Sequence, residues 1–212
     1  MTTLGIMKER IADELARDDL VSQIGYAIND AIGAYQSERW YFCESRNLTF
    51  DTVASQEIYT AADDADIGRI VKIDWLTVYI NSQPYELLPM RPGEMEHLSW
   101  GNTSLSHPAW YAFYEEGVRL YPVPDQAYTV RIGAQISVLP PADDDEPDNA
   151  WMTKAERLIR SRAKLELALH VLKDTDLAAT MAEAVTEAYE QLKSRTNQLT
   201  QYGEGRVRPM CF

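Results

Sequence analysis

The stretch YTVRIGAQISVLPPADDDEPDNAWMTKAERLIRSRAKLELALHVL, Tyr128 to Leu172, changes its periodicity halfway. Tyr128, Val130, Ile132, Ala134, Ile136 and Val138 fall on one side, and Thr129, Arg131, Gly133, Gln135 and Ser137 on the other. This alternation predicts a strand with one buried face and one wet face. Pro140 and Pro141 end it, because neither has an N–H to give to a ladder. After the acidic run Asp143 to Asp148, Leu158, Leu165, Leu169 and Leu172 recur at helical spacing, with Asp148 or Asn149 placed to cap. A sheet segment therefore runs directly into a helical block, which points to an α+β fold.

Toward the C-terminus, Leu177, Met181, Val185, Ala188, Leu192 and Leu199 define a second apolar stripe. The tight connection Lys173-Asp174-Thr175-Asp176 predicts an antiparallel helical hairpin. Residues Gln201 to Phe212 hold two glycines, one proline and two arginines, then Met210-Cys211-Phe212. That composition does not continue a helix and reads as an extended arm.

At the other end, Leu4, Met7, Ile11 and Leu15 form one helical stripe, and Leu20, Ile24, Ile28, Ile32 and Tyr35 form another. Asp18 and Asp19 are candidate caps for the second helix. Ala27, Ala31 and Ala34 would let a neighbouring helix approach closely. An aromatic patch, Trp40-Tyr41-Phe42, follows. Between the helical blocks the period is two. Leu48-Thr49-Phe50 and Glu57-Ile58-Tyr59 are short strand candidates, and Arg69 to Ile80 is a longer one whose apolar face swaps midway. Either a bulge or bend lies near Asp74, or the strand is buried on both faces. Gln83-Pro84 reads as a turn, Pro92 as the first turn of a short helix, and Trp110 to Tyr114 as a strand. Gly117 to Ile132 reads as a hairpin with a proline-rich turn. The predicted fold is α+β: N- and C-terminal helices form a helical bundle, with a small antiparallel β-domain inserted and an extended C-terminal arm. The expected boundaries are residues 1–46, 47–141, 142–200 and 201–212.

Charge narrows the function. The 33 acidic and 20 basic residues give a net charge of −13, and no Lys/Arg cluster offers a phosphate-gripping surface. Sequence-specific nucleic-acid binding is thereby disfavoured. An acidic surface can still let nucleic acid slide past without sticking. No run approaches the roughly 20 apolar residues of a membrane span, and the N-terminus lacks a signal-peptide apolar core, so a soluble chain made in the cytoplasm is expected. Cys43 and Cys211 lack a CxxC spacing and are expected to be reduced thiols. His97, His107 and His170 match no metal spacing, and the acidic run lacks the Gly and closing Glu of a calcium loop. No cofactor or metal is expected.

Catalytic motifs are missing too: there is no GxSxG, Walker loop or GxGxxG. Glu14, Glu38 and Glu44 are candidate general acids for sugar cleavage, but among 33 acidic residues solvated helix faces are the better account of such carboxylates. Arg157, Arg160 and Arg162 follow the acidic run on one helix. They either pair with Glu156 and Glu166 or meet acidic groups of a neighbouring subunit, where arginine is favoured.

Three segments carry a resemblance: IADELARDDLVSQIGYAINDAIGAYQSERWYF (Ile11 to Phe42), VRLYPVPDQAYTVRI (Val118 to Ile132) and WMTKAERLIRSRAKLELALHVLKDTDLA (Trp151 to Ala178). In them the chain resembles the head-to-tail adaptor proteins of tailed bacteriophages, the connectors or tail accessory factors beneath the portal of short-tailed phages. The resemblance implies a structural virion protein of the neck, made in the host cytoplasm and not an enzyme. It implies self-assembly into a ring of about a dozen copies bound to the portal protein. Such a ring extends the DNA channel, helps retain packaged DNA and offers a platform for tail nozzle or tail fibre proteins. Genomic DNA passes through it without specific binding, and no membrane is involved. Arg206, Arg208, Met210 and Phe212 of the arm, with Arg157 and Arg160, are the expected portal or subunit contacts. A second reading is a peptidoglycan-cleaving, muramidase-like virion enzyme, for which no catalytic motif carries over to this sequence.

Overall fold

The computed structural model describes residues 2–100 and 104–200. In chain order the elements are α1 (Leu4–Leu15), α2 (Val21–Tyr35), β1 (Glu44–Asp51), β2 (Ile58–Tyr59), β3 (Ile70–Ile80), β4 (Gln83–Pro89) and α3 (Pro92–Ser99). There follow β5 (Trp110–Tyr114), β6 (Gly117–Tyr121), β7 (Thr129–Ile136), α4 (Ala150–Lys154), α5 (Glu156–Glu166), a π-helical turn (Leu167–Leu172) and α6 (Thr175–Thr200). The fold is thus mixed α+β. It divides into two units, one comprising the residues up to Phe42 and from Val138 onward, the other Cys43–Ser137.

In the first unit, α2 packs along α5, α5 along α6, and α1 against both α2 and α5. Leu4, Met7 and Ile11 are buried, as are Ile24, Ile28 and Ile32, so both N-terminal stripes face the core. Ala27 and Ala31 are buried beside them, whereas Ala34 lies exposed. Asp18 and Asp19 do not cap α2. Asp19 is gripped by Arg17, whose Nε and Nη2 donate to its two carboxylate oxygens at 2.7 and 2.8 Å, and Leu20 occupies the cap position without a side-chain bond. The α5–α6 connection is tight as expected: Lys173 adopts the left-handed region and Asp174 Oδ1 accepts from the N–H groups of Asp176 and Leu177. Leu169 and Leu199, assigned to the apolar stripes, are exposed instead, Leu169 within the π turn and Leu199 in the last turn of α6.

The start of the C-terminal helices is fixed by Asn149. Its Oδ1 accepts from the Trp151 N–H at 3.1 Å, while Nδ2 donates to the Leu139 carbonyl at 3.2 Å and to Glu146 Oε1 at 3.1 Å. Asn149→Ala removes the cap and both donations, and should lower unfolding free energy by about 1–2 kcal/mol. Asn149→Asp retains the acceptor alone and should fall between wild type and alanine in urea denaturation.

The second unit is a seven-stranded curled sheet in the order β1-β7-β3-β4-β5-β6-β2. All neighbours are antiparallel except β4 and β5. The strand β7 buries Val130, Ile132 and Ala134 as its alternation predicts. Its other face is only partly wet, since Gly133 is covered by the Trp75 ring and Gln135 is buried. The register of β3 against β7 slips twice, between Ile70 and Lys72 and between Ile73 and Trp75. The second slip leaves Asp74 without an opposing residue. Together the two slips turn Ile70, Ile73, Leu76 and Val78 to the same core, which accounts for the swapped face in the sequence.

Two sequence expectations about turns are corrected. The β3–β4 turn is Asn81-Ser82, both at positive φ as a type I′ turn requires, while Pro84 pairs with Tyr79 inside the ladder. Gly117 to Ile132 is not a hairpin. The strand β6 pairs with β5 and β2, and β7 pairs with β1 and β3. Pro122 and Pro124 have no N–H to continue pairing after Tyr121, and both edges of β7 are already occupied. A second, smaller cluster forms where Met95 of α3 covers Ala112 and Tyr121.

Candidate functional site

The helix α5 places its cations along two neighbours. Arg157 Nη1 donates to Gln191 Oε1 at 2.9 Å and Nη2 to Glu187 Oε2 at 2.8 Å, both on α6. Arg160 Nη1 donates to Glu14 Oε1 at 3.0 Å, and Lys164 Nζ to the other Glu14 oxygen at 2.6 Å, both reaching α1. Of the pairs expected within the helix, Arg162–Glu166 forms at one-turn spacing, whereas Glu156 is taken by Arg10 of α1. Consecutive residues such as Glu156 and Arg157 diverge around a helix and cannot meet there. Because these groups remain partly open to solvent, the pairs add little stability individually. They orient the α5 cations, and half of the Arg157 side chain stays accessible. Arg206, Arg208, Met210 and Phe212 lie outside the described residues.

The three candidate acids each meet a polar or charged neighbour. Glu14 is the doubly ion-paired carboxylate just described, Glu38 accepts from the Tyr189 hydroxyl at 3.1 Å, and Glu44 lies 3.5 Å from Arg46. His170 is a surface group beside Glu166. Among the described residues, no group of three His, Cys, Asp or Glu side chains is placed to hold a metal ion, and no helix is long and apolar enough to cross a membrane.

In the second unit Arg119 of β6 is the most enclosed cation with a mapped network. Nη1 donates to the Tyr114 hydroxyl at 3.1 Å, and Nη2 to Ser99 Oγ at 2.8 Å and Glu57 Oε1 at 3.2 Å. Burial disfavours its charge, but the Tyr114 hydroxyl and the Glu57 carboxylate more than offset that, and its pKa is raised. The network ties the end of α3 to β6 and to the approach of β2. Most aromatics of this unit fill cores rather than its surface. Tyr111, Tyr121 and Tyr128 are buried, while Tyr85 and Trp100 are exposed, Trp100 to 85%.

Sequence reasoning missed one arrangement in the first unit. Lys154 Nζ and the Arg195 guanidinium lie 5.8 and 5.3 Å from the centroid of the Tyr41 ring. These residues come from α4, α6 and the aromatic patch, and no spacing rule links segments so far apart.

The sequence model of the SU10 adaptor protein family matches residues 1–209 of the chain. No curated protein matches it.

Proposed function

The chain belongs to the SU10 adaptor protein family, of bacteriophage structural adaptors, and from that premise we propose that it is a head-to-tail adaptor of a short-tailed phage. It assembles as a ring of about a dozen copies on the portal protein, extends the DNA channel, helps retain the packaged genome and offers the platform for nozzle or fibre proteins. The family match over residues 1–209 carries this reading. The charge supports it: at −13 the chain would line a channel that repels the phosphate backbone and lets DNA slide. Arg157 and Arg160 contribute to subunit contacts. The segment from Gly203 to Phe212 docks on the portal or a neighbouring copy through Arg206, Arg208, Met210 and Phe212.

Electron microscopy of the full chain mixed with cognate portal rings tests this. Rings of adaptor on one end of the portal are expected, and bare portal rings would overturn the reading. Deleting Gly203 to Phe212 should leave thermal unfolding unchanged while weakening portal attachment about tenfold or more. Unchanged attachment would remove the docking role of that segment alone.

A further inference from the structure

A cavity of about 200 Å³ opens between the α4–α5 corner and α6, with Lys154, Arg157 and Arg195 around an apolar lining that includes Leu158, Ala188 and Leu192. Three cations converging on one cavity are unusual in a chain with 33 acidic and 20 basic residues. Among the described residues, only Arg157 of the three has its charge answered, by Glu187 at 2.8 Å. Lys154 and Arg195 meet the Tyr41 ring, and among the described residues neither is joined to a carboxylate. The Tyr41 hydroxyl is itself buried with no hydrogen-bond partner among the described residues. Two like charges on one aromatic ring leave a local positive potential that an anion would neutralise.

We propose that this cavity receives a carboxylate side chain from a second copy of the chain. The inference rests on the ring assembly proposed above. A ring is built from heterologous contacts, so each copy must present two different and complementary surfaces. The surplus acids furnish one of them, for instance exposed Asp143 and Asp145 on either side of the Lys8-paired Asp144, and the Lys154–Arg195 cavity furnishes the other. The overall like charge of two copies is screened beyond about 8 Å at physiological salt, whereas an ion pair in direct contact acts well within that distance. A nucleic-acid backbone fits less well. It carries one charge per roughly 1.7 Å and needs a continuous basic track, while here a single open, partly apolar pocket with three cations sits within an acidic chain.

The test uses the full chain on portal rings, with a photo-crosslinking residue replacing Gln191 on the cavity wall and equal amounts of light- and heavy-isotope copies. Adducts joining light to heavy copies through an Asp- or Glu-bearing peptide are expected. In parallel, Lys154→Gln combined with Arg195→Gln should reduce ring formation on the portal about tenfold or more. Thermal unfolding of this variant reports whether it folds, and if it does not, the adducts decide. Adducts only to the portal chain, only to DNA, only within one copy, or none at all overturn the proposal. When that happens on decorated portal rings the adaptor reading survives, whereas undecorated portal rings would remove both.

Discussion

Trp151→Ala is expected to lower the unfolding free energy of the first unit by about 3–5 kcal/mol. The Trp151 side chain is fully buried, meets Phe42 edge-on at 5.3 Å between ring centroids, and donates its indole N–H to the Val138 carbonyl at 2.8 Å. Truncation leaves a cavity the size of an indole and a carbonyl without its donor. Trp151→Phe separates the two effects. It preserves much of the ring contact with Phe42, so its loss should be nearer the 1–2 kcal/mol of one hydrogen bond. Urea denaturation followed by far-UV circular dichroism reads both. Equal losses for the two variants would mean that the hydrogen bond, not the packing, dominates at this position.

The second large effect is steric and lies in the sheet. A methyl group at Gly133 would stand 2.3 Å from Cε2 and Nε1 of Trp75, the residue opposite it on β3. No side chain tolerates that approach, so Gly133→Ala must swing the indole off the sheet. With it goes the stacking of the Arg131 guanidinium, now 5.6 Å from the ring centroid. The expected loss is about 1–3 kcal/mol, in spite of the better strand propensity of alanine. Trp75→Ala removes the obstacle, so adding Gly133→Ala to that background should cost little or nothing. A double-mutant cycle measures the coupling, and strictly additive losses would show that the two positions do not meet.

How much of this was readable in advance depends on the range of each interaction. The buried face of β7, the stripes of α1 and α2 and the cap at Asn149 follow from local periodicity and side-chain chemistry, and they are present. The swapped face of β3 announced an irregularity, although two slips were needed rather than one bend. Pairing partners were not readable. Alternation says which side of Val118–Tyr121 is buried, but not that the chain beside it is β5 and β2 rather than β7. Nor does any local pattern bring Lys154 and Arg195 to Tyr41, because their meeting is a property of packed helices from distant segments. Nor does alternation tell which aromatics of the middle segment enter the cores on the two sides of the curled sheet and which, like Tyr85 and Trp100, stay exposed.

The division of the chain also sets an order of events during translation. Everything that the Cys43–Ser137 unit needs emerges from the ribosome before α6 does, so that unit can close on the nascent chain. The amphipathic stripes of α1 and α2 must wait, uncovered, until their partners from beyond Val138 emerge. These two helices, made before the sheet, are thus buried after it. A copy interrupted in synthesis displays sticky helices rather than a finished surface.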